Sequence, residues 1–126
     1  MMARVTLIRH GKAEPSEAGV QDFYRPLNSR GQINASAVGA FLATHRMLPQ
    51  LVLVSPSART RETYDFIKPH WPDEIAVQFV DKLYEASAST LLQVIIDYGG
   101  DLSDIAVIGH NPSLVVLLNH MVGDGH

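Results

Sequence analysis

A three-layer α/β/α domain with a mainly parallel central sheet is the fold class this sequence predicts, on three observations. Four short runs rich in β-branched residues alternate with stretches of helical periodicity. Three of those runs end on polar residues, as strands do when a ligand collects at their carboxyl ends. The 126-residue length, 46% hydrophobic, gives one well-packed core, so residues 1–126 are read as a single domain.

The first strand is read at 3–9, "ARVTLIR", and stops on Arg9-His10-Gly11. Ile33, Ala37, Val38, Phe41 and Leu42 then recur at helical spacing and predict a helix buried on that face. "LVLVS" at 51–55 is the second strand, followed by a helical pattern in which Tyr64 and Ile67 share a face with Thr60. A third strand at 75–80, "IAVQFV", leads to a helix carrying Leu91, Leu92, Ile95 and Tyr98. The fourth strand is "IAVIG" at 105–109, and the closing "PSLVVLLNHMV" is apolar nearly all round, as a buried helix would be. Ser55 before Pro56 and Asn111 before Pro112 read as helix N-caps with proline at the first helical position.

A net charge of −3, without basic tails or runs, argues against nucleic acid or an anionic membrane as partner. All ten Lys and Arg lie between Arg4 and Lys82, whereas residues 83–126 hold five acids and neither cation, so the first two thirds must bind any anion. No stretch approaches the length of a membrane span, and the chain has no cysteine; a cytoplasmic location is expected.

Arg59 and Thr63 stand four apart, on one face of the helix that follows the second strand. A guanidinium near a helix N-terminus opposes the dipole and needs another partner, such as a bound phosphate, although a lone arginine there is ordinarily just solvated. His110, between a buried strand and a helix start, is by itself more often a hydrogen-bonded structural histidine. His45, His70, His120 and His126 read as structural or terminal, and none of the six histidines forms an H-x-H or H-x-x-x-H pair, so neither a metal nor another cofactor is expected.

Arg9-His10-Gly11, S-P-x-x-R-x-x-x-T at 55–63, Glu85 in "LYEAS" and G-H-N-P at 109–112 together resemble the histidine phosphatase, phosphoglycerate mutase-like superfamily. The likeness is greatest to its small bacterial SixA-type phosphohistidine phosphatases, which show an R-P-L-x-x-x-G stretch like "RPLNSRG" at 25–31, and it extends from Val5 to about Leu118. The resemblance implies a phosphoglycerate mutase-like fold, with His10 as nucleophile, Arg9 and Arg59 as phosphate-binding cations, His110 as second catalytic histidine and Glu85 as proton donor. His110 is expected to be protonated and Gly11 to leave space for the phosphate. Asn111 presents its amide near the site or serves only as an N-cap, the latter being preferred.

A neutral imidazole can accept a phosphoryl group, so the implied reaction is hydrolysis through a phosphohistidine at His10 without a metal. The expected partner is a phosphorylated protein, with phosphohistidine as substrate. A small phosphate ester, or a non-catalytic phosphate-binding module, is the alternative. Members of the superfamily usually continue into further strands beyond the last helix, one of them beside the first strand. The expectation is therefore that a C-terminal segment is missing from this sequence, or else that a partner covers the first strand's edge.

Overall fold

In the computed structural model, which describes residues 4–15 and 21–110, strands β1 (Arg4–Arg9), β2 (Leu51–Val54), β3 (Ala76–Phe79) and β4 (Asp104–Gly109) alternate with helices. The helices are α1 (Ser29–Thr44), α2 (Ala58–Ile67) and α3 (Ala88–Gly99). The sheet order is β1-β4-β2-β3, and every pair is parallel. The closing apolar stretch read as a helix, Asn111 and its cap lie outside the described residues. Among the described residues, no helix is long and apolar enough to cross a membrane.

Continuous apolar runs such as Leu51–Val54 arise because the two inner strands are covered on both faces. Val52, Val54, Ala106 and Ile108 join Leu42, Tyr64 and Ile67 of α1 and α2 on one side. Leu51, Leu53, Ile105 and Val107 meet Leu91, Val94 and Ile95 of α3 on the other. The three layers follow directly from that alternation.

Helix α1 departs from the predicted face. Its buried residues are Gly31, Ala35, Gly39 and Leu42, whereas Ile33 is 69% and Phe41 54% exposed. The helix lies too close to its neighbours for bulky side chains: a Cβ on Gly39 would stand 2.9 Å from both Cα and O of Ile67. Gly31, Ala35 and Gly39, four apart, thus make the packing stripe together with Leu42, which is buried as read, while Ile33, Val38 and Phe41 turn outward. On α3, Leu91 and Ile95 are buried as read, but Val94 and Gly99 complete that face, leaving Leu92 and Tyr98 exposed.

Proline did not start α2 where the cap reading put it. The helix begins at Ala58 behind Ser57, and the Ser55 side chain is used elsewhere. "RPLNSRG" is explained element by element. Leu27 is buried and its amide donates to Glu62 Oε1, Asn28 caps α1 by accepting from Gly31 N–H at 2.8 Å, and Gly31 packs on the backbone of Lys12.

Gly31→Ala would drive a methyl group into the Lys12 backbone, which cannot move away as a side chain could. Overpacking of this kind costs about 1–3 kcal/mol, so the thermal midpoint should fall by several degrees in a circular dichroism melt. Ile33→Ser, on the exposed face, should change stability by less than about 0.5 kcal/mol.

Candidate active site

Register assembles the site. Arg9 of β1 pairs with Gly109 of β4, and His10 N–H donates to Gly109 O at 3.2 Å, so His10 and His110 leave adjacent strand ends together. Their ring centroids are 5.4 Å apart. Val54 of β2 pairs with Ile108, which delivers Ser55 to the same edge.

Each imidazole has one proton position set by its partner. His10 Nδ1 lies 2.6 Å from Gly11 O, and a carbonyl can only accept, so Nδ1 carries the proton and Nε2 keeps its lone pair. Arg59 Nη2 donates to His110 Nδ1 at 3.3 Å, so the neutral His110 carries its proton on Nε2 and donates to Ser55 Oγ at 2.7 Å.

Burial lowers the His10 pKa below its ordinary value; Arg59, Arg9 and Arg25 add to that, while the bond to Gly11 O works against it. His110 is pushed down to about 4, first by burial, then by Arg59 and His10, with Asp22 opposing. With these neighbours His110 is neutral near pH 7, because a buried imidazole facing a guanidinium resists a second positive charge; the cation expected there is one that faces a transferring phosphoryl group.

Arg59 is only 7% exposed and its partner is Asp22. Nη1 donates to Asp22 O at 2.9 Å and Nη2 to Asp22 Oδ2 at 3.0 Å, while the buried Nε–H has no acceptor. Asp22 Oδ1 also accepts from Arg25 Nη2 at 3.0 Å, and Oδ2 from the Tyr84 hydroxyl at 2.7 Å. These donors, with Tyr84 the largest influence, hold the Asp22 carboxyl at about 2. Tyr84 is raised to about 12 by burial and by Asp22, and its ring meets that of His110 edge-on at 5.6 Å.

Thr63 ties the first motif to α2. Its hydroxyl accepts from Gly11 N–H at 3.0 Å and donates to Arg59 O at 2.7 Å. Gly11 also answers to packing: a Cβ there would sit 2.5 Å from Gly31 O, so the glycine makes room for α1 while it lines the cleft.

A cleft of about 720 Å³ results, lined by Arg9, His10, Gly11, Lys12, Arg25, Arg59, Thr63 and His110 among others. The structure thus brings together five of the seven residues singled out in the sequence. Glu85 lines a separate groove with Lys82 and Ser87, is exposed, and has a positive φ of 54°. Asn111 lies outside the described residues. Asp22, Tyr84 and the role of Ser55 were not foreseen. Arg25 was visible only as part of "RPLNSRG", and an aspartate three residues before it carries no local signal. Among the described residues, no group of three or more His, Asp or Glu side chains is placed to hold a metal.

The model of the histidine phosphatase superfamily (branch 1) matches residues 5–94. An uncharacterised chloroplastic protein of Arabidopsis thaliana is 32% identical over 117 residues, which cover 86% of this chain and 54% of that protein. The chain therefore spans only about half the length of that relative. Among solved structures, a protein of Agrobacterium tumefaciens provisionally named phosphohistidine phosphatase SixA superposes with a TM-score of 0.91 at 31% identity, covering 99% of this chain and 80% of the other. A similarly named Nakamurella protein gives 0.79 at 29%, covering 90% and 62%.

NMR titration of the imidazole nitrogens tests the two tautomers and their order of protonation. His110 should stay neutral until the pH approaches 4 and His10 should protonate below 6.5, each moving downward because burial and neighbouring cations oppose the charged form. Arg59→Ala should raise the His110 midpoint by removing a repulsive charge and opening the pocket.

Proposed function

The chain belongs to the histidine phosphatase superfamily (branch 1), and on that premise we propose that it is a phosphatase working through a covalent phosphohistidine at His10, with phosphohistidine on a protein as its substrate. The observation that carries the reading is the Nδ1–H to Gly11 O bond of His10, which leaves Nε2 as an unprotonated nucleophile beside a cleft lined by four cations.

In the proposed reaction, Nε2 of His10 attacks phosphorus. The P–Nε2 bond forms as the bond to the leaving group breaks, and that group departs with the electron pair. Arg9 and Arg59 offset the charge on the equatorial oxygens, with Lys12 and Arg25 adding to the field. Water then attacks the phosphoryl group on His10, releasing phosphate and restoring the imidazole. His110 borders the same phosphoryl position from β4, and Gly11 fixes the His10 loop through Thr63. Glu85 is kept as candidate proton donor for substrates with a basic leaving group, although its groove is separate from the cleft.

Hydrolysis is favoured over phosphate transfer between two positions of a metabolite, which calls for a site held away from water. Between α2 and β4 the described residues form only two short 3₁₀ turns, β3 and α3, with no inserted element to roof the cleft. Both histidines are present, which sets the chain apart from a binding module that would need only the arginines.

Brief reaction with a labelled phosphate donor should leave an acid-labile, base-stable phosphoryl group on the enzyme, and His10→Ala should abolish label and turnover together. Near-normal turnover in that variant would exclude the covalent route.

Arg59→Ala should lower kcat/KM about 100-fold, since losing one charge-assisted contact in a desolvated site costs roughly 3 kcal/mol. Vanadate should inhibit that variant more weakly than the wild type; an unchanged inhibition constant would return Arg59 to a structural role.

A further inference from the structure

Among the described residues, Asp22 is the one carboxylate bonded into this constellation, where it touches Arg59, Arg25 and Tyr84. Arg59 Nη2 bridges it to His110 Nδ1, and the Tyr84 ring, whose hydroxyl donates to it, meets the His110 ring at 5.6 Å, so it stands on the His110 side of the site. An in-line attack by His10 sends the leaving group to the side of phosphorus away from His10.

We propose that Asp22 determines specificity: its carboxylate accepts the ring N–H of a departing imidazole and so selects phosphohistidine over phosphate monoesters. The inference rests on the phosphatase reading of the site and names its substrate class. A carboxylate offers about four acceptor positions, three of which are filled here, and the Asp22 side chain is 45% exposed where that of Arg59 is 8%. One position thus remains unfilled among the described residues, on a partly exposed side chain beside Arg59. Beside Asp22, Tyr84, whose hydroxyl donates to it, meets Phe23 edge to face at 5.0 Å, so flat rings stand next to the carboxylate.

The chemistry of the leaving group decides the matter. When the P–N bond of phosphohistidine breaks, its electron pair goes to the ring nitrogen that held phosphorus. If the other ring nitrogen is protonated, the product is neutral imidazole; if it is not, the product is the far more basic imidazolate. A carboxylate bonded to that N–H favours the protonated ring and so the easy departure. For an alkyl monoester the need is reversed, because the alkoxide must receive a proton and an ionised carboxylate has none to give. With its carboxyl held at about 2, Asp22 is ionised at any physiological pH.

The test compares kcat/KM on two substrates, a peptide carrying Nε2-phosphohistidine and p-nitrophenyl phosphate, for the wild type, Asp22→Asn and Asp22→Glu. The Asp22 main-chain carbonyl still holds Arg59 Nη1 in both variants. Asp22→Asn weakens the support of Arg59 and should lower activity on both substrates, but the loss on phosphohistidine should exceed that on p-nitrophenyl phosphate by about 10- to 100-fold, as expected for losing a charge-assisted hydrogen bond to one leaving group. Asp22→Glu should recover most of the loss. A circular dichroism spectrum and melting midpoint close to those of the wild type check that each variant is folded.

Equal losses on both substrates would overturn the inference, leaving Asp22 as a support for Arg59. So would a wild type that hydrolyses p-nitrophenyl phosphate and not phosphohistidine, although the phosphatase reading would survive. A wild type inactive on both would overturn that reading and the inference with it.

Discussion

Burying the guanidinium of Arg59 is the constraint from which the rest of the site follows. A charge removed from water must be paired and hydrogen-bonded, or it costs several kcal/mol. The chain meets that demand with the carbonyl and carboxylate of Asp22 and with Nδ1 of His110. Each partner is altered in return: Asp22, held ionised first by the Tyr84 hydroxyl and then by Arg59 and Arg25, is a persistent anion, and His110 takes the tautomer that presents a lone pair to Arg59. Ser55 then has one available role, accepting from His110 Nε2.

The arrangement depends on strand register. Because β1, β4 and β2 run parallel, their carboxyl ends reach one edge of the sheet, and a one-residue slip would turn every alternating side chain to the other face. That edge was legible in the sequence. Runs such as "IAVIG" declare buried strands through composition, and polar residues at their ends declare where the strands stop. A parallel sheet brings such ends to one edge, which placed Arg9, His10, Ser55 and His110 there, and the family resemblance then grouped Arg9, His10, Arg59 and His110 as one site.

What stayed hidden are contacts made between segments far apart in sequence. Asp22 is 37 residues from Arg59 and 62 from Tyr84, and nothing local marks it as their partner. The inward face of α1 was misread for a related reason. Hydrophobic periodicity assumes that large apolar residues point inward, but how closely α1 approaches its neighbours is set by Gly31 and Gly39, and such an approach reverses the assumption. Gly11 was noticed for the cleft it lines, but its close approach to the Gly31 carbonyl was hidden for the same reason. Ser55 was assigned to a helix cap because the S-P pair is common there. Its alternative partner comes from β4, more than fifty residues on.

The two views of His110 can be reconciled through the charge around it. The sequence resemblance implies a cation, and the described structure holds a neutral ring whose pKa is depressed by burial, Arg59 and His10. The Arg59 and His10 contributions are electrostatic, and a dianionic phosphoryl group between the two imidazoles would offset them while giving a proton on Nδ1 an acceptor. Arg59 would at the same time exchange part of its bonding from His110 to phosphate oxygen, freeing Nδ1. On the proposed mechanism, a positive charge on His110 would belong to the cleft with phosphate bound, and His10 as nucleophile would gain by the difference. With His110 neutral before substrate arrives, His10 faces one fewer cation, and its lone pair is less strongly held by the surrounding field.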